Sequence, residues 1–313
     1  MLLRVFAIAM NTYREAVRAR VLLGLLAFAL AASAYSIVIA AMSIRGEMRI
    51  VADIGAASIS LLSVLVATIL GATSLYRELE LKTVFPILTR RLVRAEYLVG
   101  KYLGILATML VFVAIDAAWV LTILALQTKE HVELTIGVAV FMIALLGVLL
   151  WRAKLTRVFM LLPWSVALFV AMALLANGTG GERQIVILSA ILTLAEITIV
   201  AAVAMLFSSF SSPFLTAIFT IMMFAVGRSA DTLGNIPART FGAIGPAFRS
   251  VGAVLARIVP NLNLYVPARP LLLGEIATIA PSTYVVRACL NAVLYASVLL
   301  TLSALIFRRR DFQ

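Results

Sequence analysis

The chain has 313 residues, 64% of them apolar and 13% charged, and carries a formal net charge of +12. Its one cysteine, Cys289, excludes an intramolecular disulfide and a thiolate metal cluster. Its one histidine, His131, with no second histidine or thiolate beside it, argues against a metal centre.

The surplus positive charge would suggest nucleic acid in a soluble protein. Here it falls on short turns between apolar blocks of about 20 residues, the length a helix needs to cross a hydrocarbon core of about 30 Å. Backbone amides in lipid must pair within their own segment, which helices achieve. The sequence therefore predicts an all-α polytopic membrane protein, a single membrane domain over residues 1–313 with no separate soluble domain.

Residues 1–20 come first. Leu3, Phe6, Ile8, Met10 and Tyr13 alternate at helical spacing with Arg14, Glu15, Arg18 and Arg20. This suits a helix lying in the headgroup layer with its arginines near anionic membrane lipid; the alternative is a positive flank to the first span. The basic start and Ala32-Ser33-Ala34 superficially fit a signal peptide. The apolar run continues past that point, so the first span is read as retained.

Spans are assigned at residues 21–42, 56–75, 102–126, 135–150, 159–176, 185–207, 214–226 and 285–307. The blocks within 135–176 are close to the minimum length and form a hairpin that crosses or lies flat. The block 214–226 is shorter still unless it extends toward Asp231, so the count is six to eight. Residues 227–284 form the one long loop. Its pieces 251–259 and 271–279 are too short to cross and too apolar to be freely solvated, and are predicted as amphipathic or re-entrant helices on the outer side before the last span.

Arg77, Lys82, Arg90, Arg91, Arg94 and Lys101 crowd one connection, Arg152, Lys154 and Arg157 another, and Arg308–Arg310 the tail. The opposite short loops hold only Arg45, Arg49, Lys129 and Arg183. Positive residues mark the side that stays inside. Both termini are expected in the cytoplasm.

Two features could carry function. Residues 77–83, with Arg77, Glu78, Glu80, Lys82 and Thr83, form a charged helical extension after the second span. It either docks in a groove of a soluble partner or is a solvated helix end. Asp116 and Glu196 lie near the centres of spans, where an ionised group costs roughly 2.5–3.5 kcal/mol. They read as a polar patch on a transport path, as a proton relay between two helices, or as carboxyls that only tie neighbouring helices together.

Residues 76–104, YRELELKTVFPILTRRLVRAEYLVGKYLG, closely resemble the region after the second helix of ABC-2 type transporter permeases. That family shows an acidic pair, a basic residue with threonine, a basic stretch, then an apolar pair and Gly-Lys. Asn11–Arg18, Leu206–Pro213 and the Phe-Arg-Arg-Arg-Asp tail extend the resemblance, in the family's order, along nearly the whole chain. Two departures stand out: Arg91 replaces a frequent proline, and 135–176 is an added hairpin beside the usual six spans.

The resemblance implies a permease subunit of an ATP-driven exporter in a bacterial plasma (inner) membrane, paired with a second permease chain, identical or paralogous. Residues 1–20 would be its interfacial elbow helix. Residues 76–101 would be its coupling region, touching a separate ATPase subunit through Arg77, Glu78, Glu80, Lys82 and Thr83. The chain has no phosphate-binding G-x-x-x-x-G-K-[ST] loop, so ATP and Mg belong to that partner, and no cofactor and no enzymatic step to this chain. An ion-coupled secondary carrier using Asp116 and Glu196 and a non-transporting membrane scaffold are the alternatives. No motif identifies a substrate.

Overall fold

The computed structural model describes residues 2–43, 46–80, 94–152, 156–234, 250, 252, 254, 259–275 and 280–309, with side chains for all except 75–80, 94 and 308–309. In chain order the helices are α1 (Leu2–Arg18), α2 (Arg20–Ala41), α3 (Glu47–Glu80), α4 (Arg94–Gln127), α5 (Val132–Arg152) and α6 (Arg157–Leu175). They continue as α7 (Gly181–Ser208), α8 (Pro213–Arg228), α9 (Ala230–Gly234), α10 (Arg269–Leu273) and α11 (Pro281–Arg309). Single 3₁₀ turns lie at Ala176–Thr179 and Leu262–Tyr265. Among the described residues there is no strand.

Seven of these helices, α2–α7 and α11, are long and apolar enough to cross a membrane. The chain is an all-α polytopic membrane protein. All eight apolar blocks expected from the sequence are helical, including the two within 135–176, which lengthen into helices of 21 and 19 residues. Trp164 of α6 donates to the Met142 carbonyl of α5 at 2.9 Å, holding the hairpin together. The short block becomes α8, whose 16 residues rise about 24 Å.

The core lies where α3, α4 and α7 meet, joined by α2 and α11. Without a hydrophobic drive between helices in lipid, contact depends on close backbone approach through small side chains. A Cβ on Gly71 of α3 would lie 2.5 Å from the Cβ of Ala204 on α7, so these two helices touch almost backbone to backbone. By contrast α5 has only Thr135 fully buried and rides on the outside of the bundle.

α1 buries Ala9, Thr12, Tyr13 and Ala16 and leaves Leu2, Leu3 and Phe6 exposed. Its buried stripe lies along α4, where a Cβ on Gly104 would meet the Ala9 carbonyl at 2.5 Å and Thr12 at 2.6 Å. Tyr13 donates to the Val158 carbonyl at 2.9 Å and stacks on Phe159, so α1 also rests on the start of α6. The first helix stops at Arg18 rather than Arg20: Ala19 is extended (φ −68°, ψ 122°), and Arg20 opens α2.

The bundle thus has two ends. The start of α4, the start of α6 and the last turns of α3 gather with α1 at one face. The starts of α3, α7 and α11 gather at the opposite face, where residues 259–275 pack on them, and α8 ends at the depth of mid-α7. The helical piece expected at 271–279 is five residues long and begins earlier, as α10, because Gly274 at φ 75° turns the chain out of the helix. Of the other expected piece, 251–259, only residues 252, 254 and 259 are among those described.

Candidate functional site: a charged cavity on α3, α7 and α8

Glu196 occupies the middle of α7 and is fully buried. An ionised carboxyl there needs a cation, and the fold supplies Arg228, the last residue of α8. Its Nε donates to Oε1 and one terminal nitrogen donates to Oε2, both at 2.8 Å, a two-pronged carboxylate contact. The same terminal nitrogen donates to Ser60 Oγ of α3 at 2.6 Å, and Ser60 in turn donates to Glu196 Oε2 at 3.2 Å. Three helices are joined at one point. The guanidinium also lies 5.3 Å from the Phe224 ring one turn back on α8.

Arg228 is 21% exposed because it faces a cavity of about 330 Å³. Ser60, Ser189 and Thr193 give that cavity a hydroxyl-rich wall, and Asp53, Tyr265 and Arg269 line it as well. Arg269 donates to Asp53 of α3 at 2.5 Å and also bonds Glu182 in the first turn of α7. That bond carries the segment holding α10 across both helices. The segment is fixed elsewhere too. Asn261 and Asn263 donate to the two oxygens of Asp231 at 2.6 and 2.7 Å. Gln184 donates to the Leu272 carbonyl at 2.8 Å, and Tyr284 to that of Leu264 at 2.6 Å.

Two layers of arginine–carboxylate contacts therefore flank the cavity, Arg228's at mid-α7 and Arg269's at the starts of α3 and α7. Arg228 and Arg269 are balanced by Glu196, Asp53 and Glu182, and Arg49 adds a 3.7 Å contact to Asp53. The cavity can offer a ligand both charged and hydroxyl contacts.

Asp116, the other intramembrane acid, is also fully buried, but elsewhere. Ser33 of α2 donates to its Oδ1 at 3.0 Å and lies 3.4 Å from Ser58 of α3. One turn on, Trp119 donates to the Leu30 carbonyl of α2 at 3.1 Å. Ser58 and Ser60 are two residues apart, about 200° around α3, so the Asp116 and Glu196 clusters lie on opposite sides of that helix. No hydrogen bond among the described residues joins the two clusters. The structure brings each acid to a neighbouring helix and does not bring the two together.

At the other face, Arg77, Glu78 and Glu80 fall on the helical backbone of α3, which runs to Glu80. Lys82 and Thr83 lie outside the described residues. Lys101, which reads from sequence as a loop charge, is buried on α4: its ammonium donates to the Ser74 carbonyl, lies 3.4 Å from Ser74 Oγ and sits 5.4 Å from the Tyr97 ring. It fastens the start of α4 to α3 at Ser74.

Sequence reasoning finds Glu196 but places its partner, Arg228, in the loop 227–284. The signal available was electrostatic: an acid in mid-span requires a cation, and Arg228 stands immediately after a short apolar block. No protein-family model matches the chain, and no curated protein matches it.

Proposed function

We propose that the chain is the permease subunit of an ATP-driven exporter of the ABC-2 type, in a bacterial plasma membrane with both termini in the cytoplasm. It works with a second permease chain and a separate ATPase subunit that holds ATP and Mg. The observation that carries this reading is the pair α3 and α4. These consecutive helices have 34 residues each, about 51 Å, which is longer than a hydrocarbon core of about 30 Å. They bracket the segment whose sequence resembles the family's coupling region. The interfacial helix seated on α4 and the short elements packed over the opposite face support the same reading.

In this mechanism, ATP binding closes the ATPase pair and displaces the Arg77–Thr83 segment. α3 carries the displacement as a rigid body, because its close contacts with α7 leave little room for bending. The far end of α3 holds Ser60 and Asp53, so the same movement loads the Arg228 and Arg269 contacts around the cavity. Hydrolysis belongs to the partner. The carrier alternative requires Asp116 and Glu196 to exchange protons, and the two clusters on opposite sides of α3 offer it no support.

Purification of the chain from its native membrane in mild detergent tests the proposal. A stoichiometric P-loop ATPase is expected, and Glu78→Lys with Glu80→Lys should release it. A chain that remains intact with no ATPase attached would sink the exporter reading.

A further inference from the structure

We infer that the crevice beneath the α1–α2 elbow is a binding site for one anionic phospholipid, its phosphate at Arg14 and Arg18 and one acyl chain between α2 and α3. The inference does not depend on the permease reading.

Three adjoining cavities form the crevice. An open mouth of about 540 Å³ is lined by Asn11, Arg14, Glu15 and Arg18. A narrow neck of about 60 Å³ follows, bounded by Thr12, Thr73 and Ser74. An apolar slot of about 190 Å³ then opens between Leu22 and Leu25 of α2 and Val66 and Ile69 of α3. Ala19 lines all three, and Thr73 lines the last two, so they form one passage. From Thr73 to Val66 is seven residues along α3, so the slot descends about 10 Å into the hydrocarbon.

The order of chemistry along this passage is that of a phospholipid. Arg14 and Arg18 stand at i, i+4 on α1 and share a face. Neither makes an ion pair among the described residues, and both line the open mouth. Among the described residues lining it, the mouth has two positive charges and, with Glu15, one negative, a surplus of one cation, which favours an anionic over a zwitterionic headgroup. The neck supplies hydroxyls at the depth of the glycerol esters. The slot has apolar walls that give water few partners and suit a chain of methylenes. The gap exists because the elbow is built from Ala16 and Ala19, whose side chains are too small to fill it.

The test uses the full chain, reconstituted in vesicles with equal phosphatidylglycerol, phosphatidylethanolamine and phosphatidylcholine, then extracted in mild detergent for native mass spectrometry. One phosphatidylglycerol per chain should survive. Arg14→Gln with Arg18→Gln should lower its retention about tenfold or more. Val66→Phe, which fills the slot and leaves every charge in place, should abolish it. The thermal reactivity of Cys289 confirms that each variant is folded; should Val66→Phe fail that check, Ile69→Phe takes its place. Lipid retained in the proportions of the mixture would show an annular shell only and overturn the site. Retention unchanged in the arginine pair or in the slot variant would overturn it equally. Displacement of the lipid by excess glycerol phosphate would show a headgroup site without the acyl slot and refute the assignment as stated.

Discussion

Replacing Arg228 by methionine leaves Glu196 in mid-bundle without the cation that holds it. The carboxylate loses both 2.8 Å contacts at a fully buried position. Removing one partner of such a pair costs about 3–5 kcal/mol, comparable to the roughly 2.5–3.5 kcal/mol for placing a bare acid at a span centre. Glu196→Gln should cost less, about 1–2 kcal/mol. The amide oxygen still accepts from Arg228, and the guanidinium left behind is 21% exposed to the cavity and can be hydrated there. The double change Glu196→Met, Arg228→Met removes both charges and should return to within about 1 kcal/mol of the natural protein. Cys289, half-buried on α11, provides the assay, because a thiol-reactive fluorogenic dye reports its exposure as the bundle opens on heating. At roughly 2–4 °C per kcal/mol, Arg228→Met should unfold about 6–20 °C lower and the double variant only slightly lower than the natural chain. A double variant as unstable as Arg228→Met, or an Arg228→Met of unchanged stability, would refute the argument that Arg228 is there to hold Glu196.

Three further outcomes follow from the same geometry. Gly104→Ala puts a methyl group 2.5 Å from the Ala9 carbonyl, so α1 must move; a loss of about 1–3 kcal/mol and faster proteolysis at α1 are expected, with thermal unfolding and limited digestion as the checks. Arg269→Gln breaks the contacts to Asp53 and Glu182 together, and hydrogen exchange should speed up across 259–275, whereas Asp53→Asn, at a half-exposed partner, should change it little. Burial of the Tyr13 phenol raises its pKa from 10.0 to about 12. The neutral phenol is the favoured form, so its contribution is complete below pH 10 and is lost as pH rises toward 12. Tyr13→Phe should therefore lose about 0.5–1.5 kcal/mol near neutrality and flatten the alkaline part of a stability–pH curve.

Much of the fold is legible because bilayer length and backbone satisfaction are local constraints. The apolar blocks locate every spanning helix, although α3 and α4 begin nine and eight residues before their blocks. Of the apolar residues read on α1, Tyr13 is buried while Leu3 and Phe6 stay exposed. The site is less legible, because its contacts join residues distant in sequence. Arg228 bonds Ser60 from 168 positions away, and Arg269 bonds Asp53 from 216 positions away. Arg269 stands between Pro267 and Pro270 and so reads as loop punctuation. Lys101 reads as a topology charge because its burial depends on Ser74 of α3, 27 positions away. Asp116 and Glu196 each announced a partner through the cost of an acid in lipid, without saying which of the 26 basic residues would meet Glu196.

α3 is the element that makes these observations one arrangement. It runs from Asp53, beneath Arg269, past Ser58 and Ser60 to the helical backbone of Glu80 at the opposite face. Ser58 faces the Asp116 cluster and Ser60 faces Glu196, so a rotation of α3 about its axis changes both clusters at once and in opposite senses. A bend would not transmit in this way, because Gly71 against Ala204 and Gly55 against Val120 fix the helix to α7 and α4 at van der Waals contact. Contacts this close allow a helix to turn or slide as a unit and resist local distortion. On the proposed reading, a push at the extension of α3 reaches the cavity through a single rigid helix, and the paired charges of Arg228 and Arg269 set the resistance it must overcome.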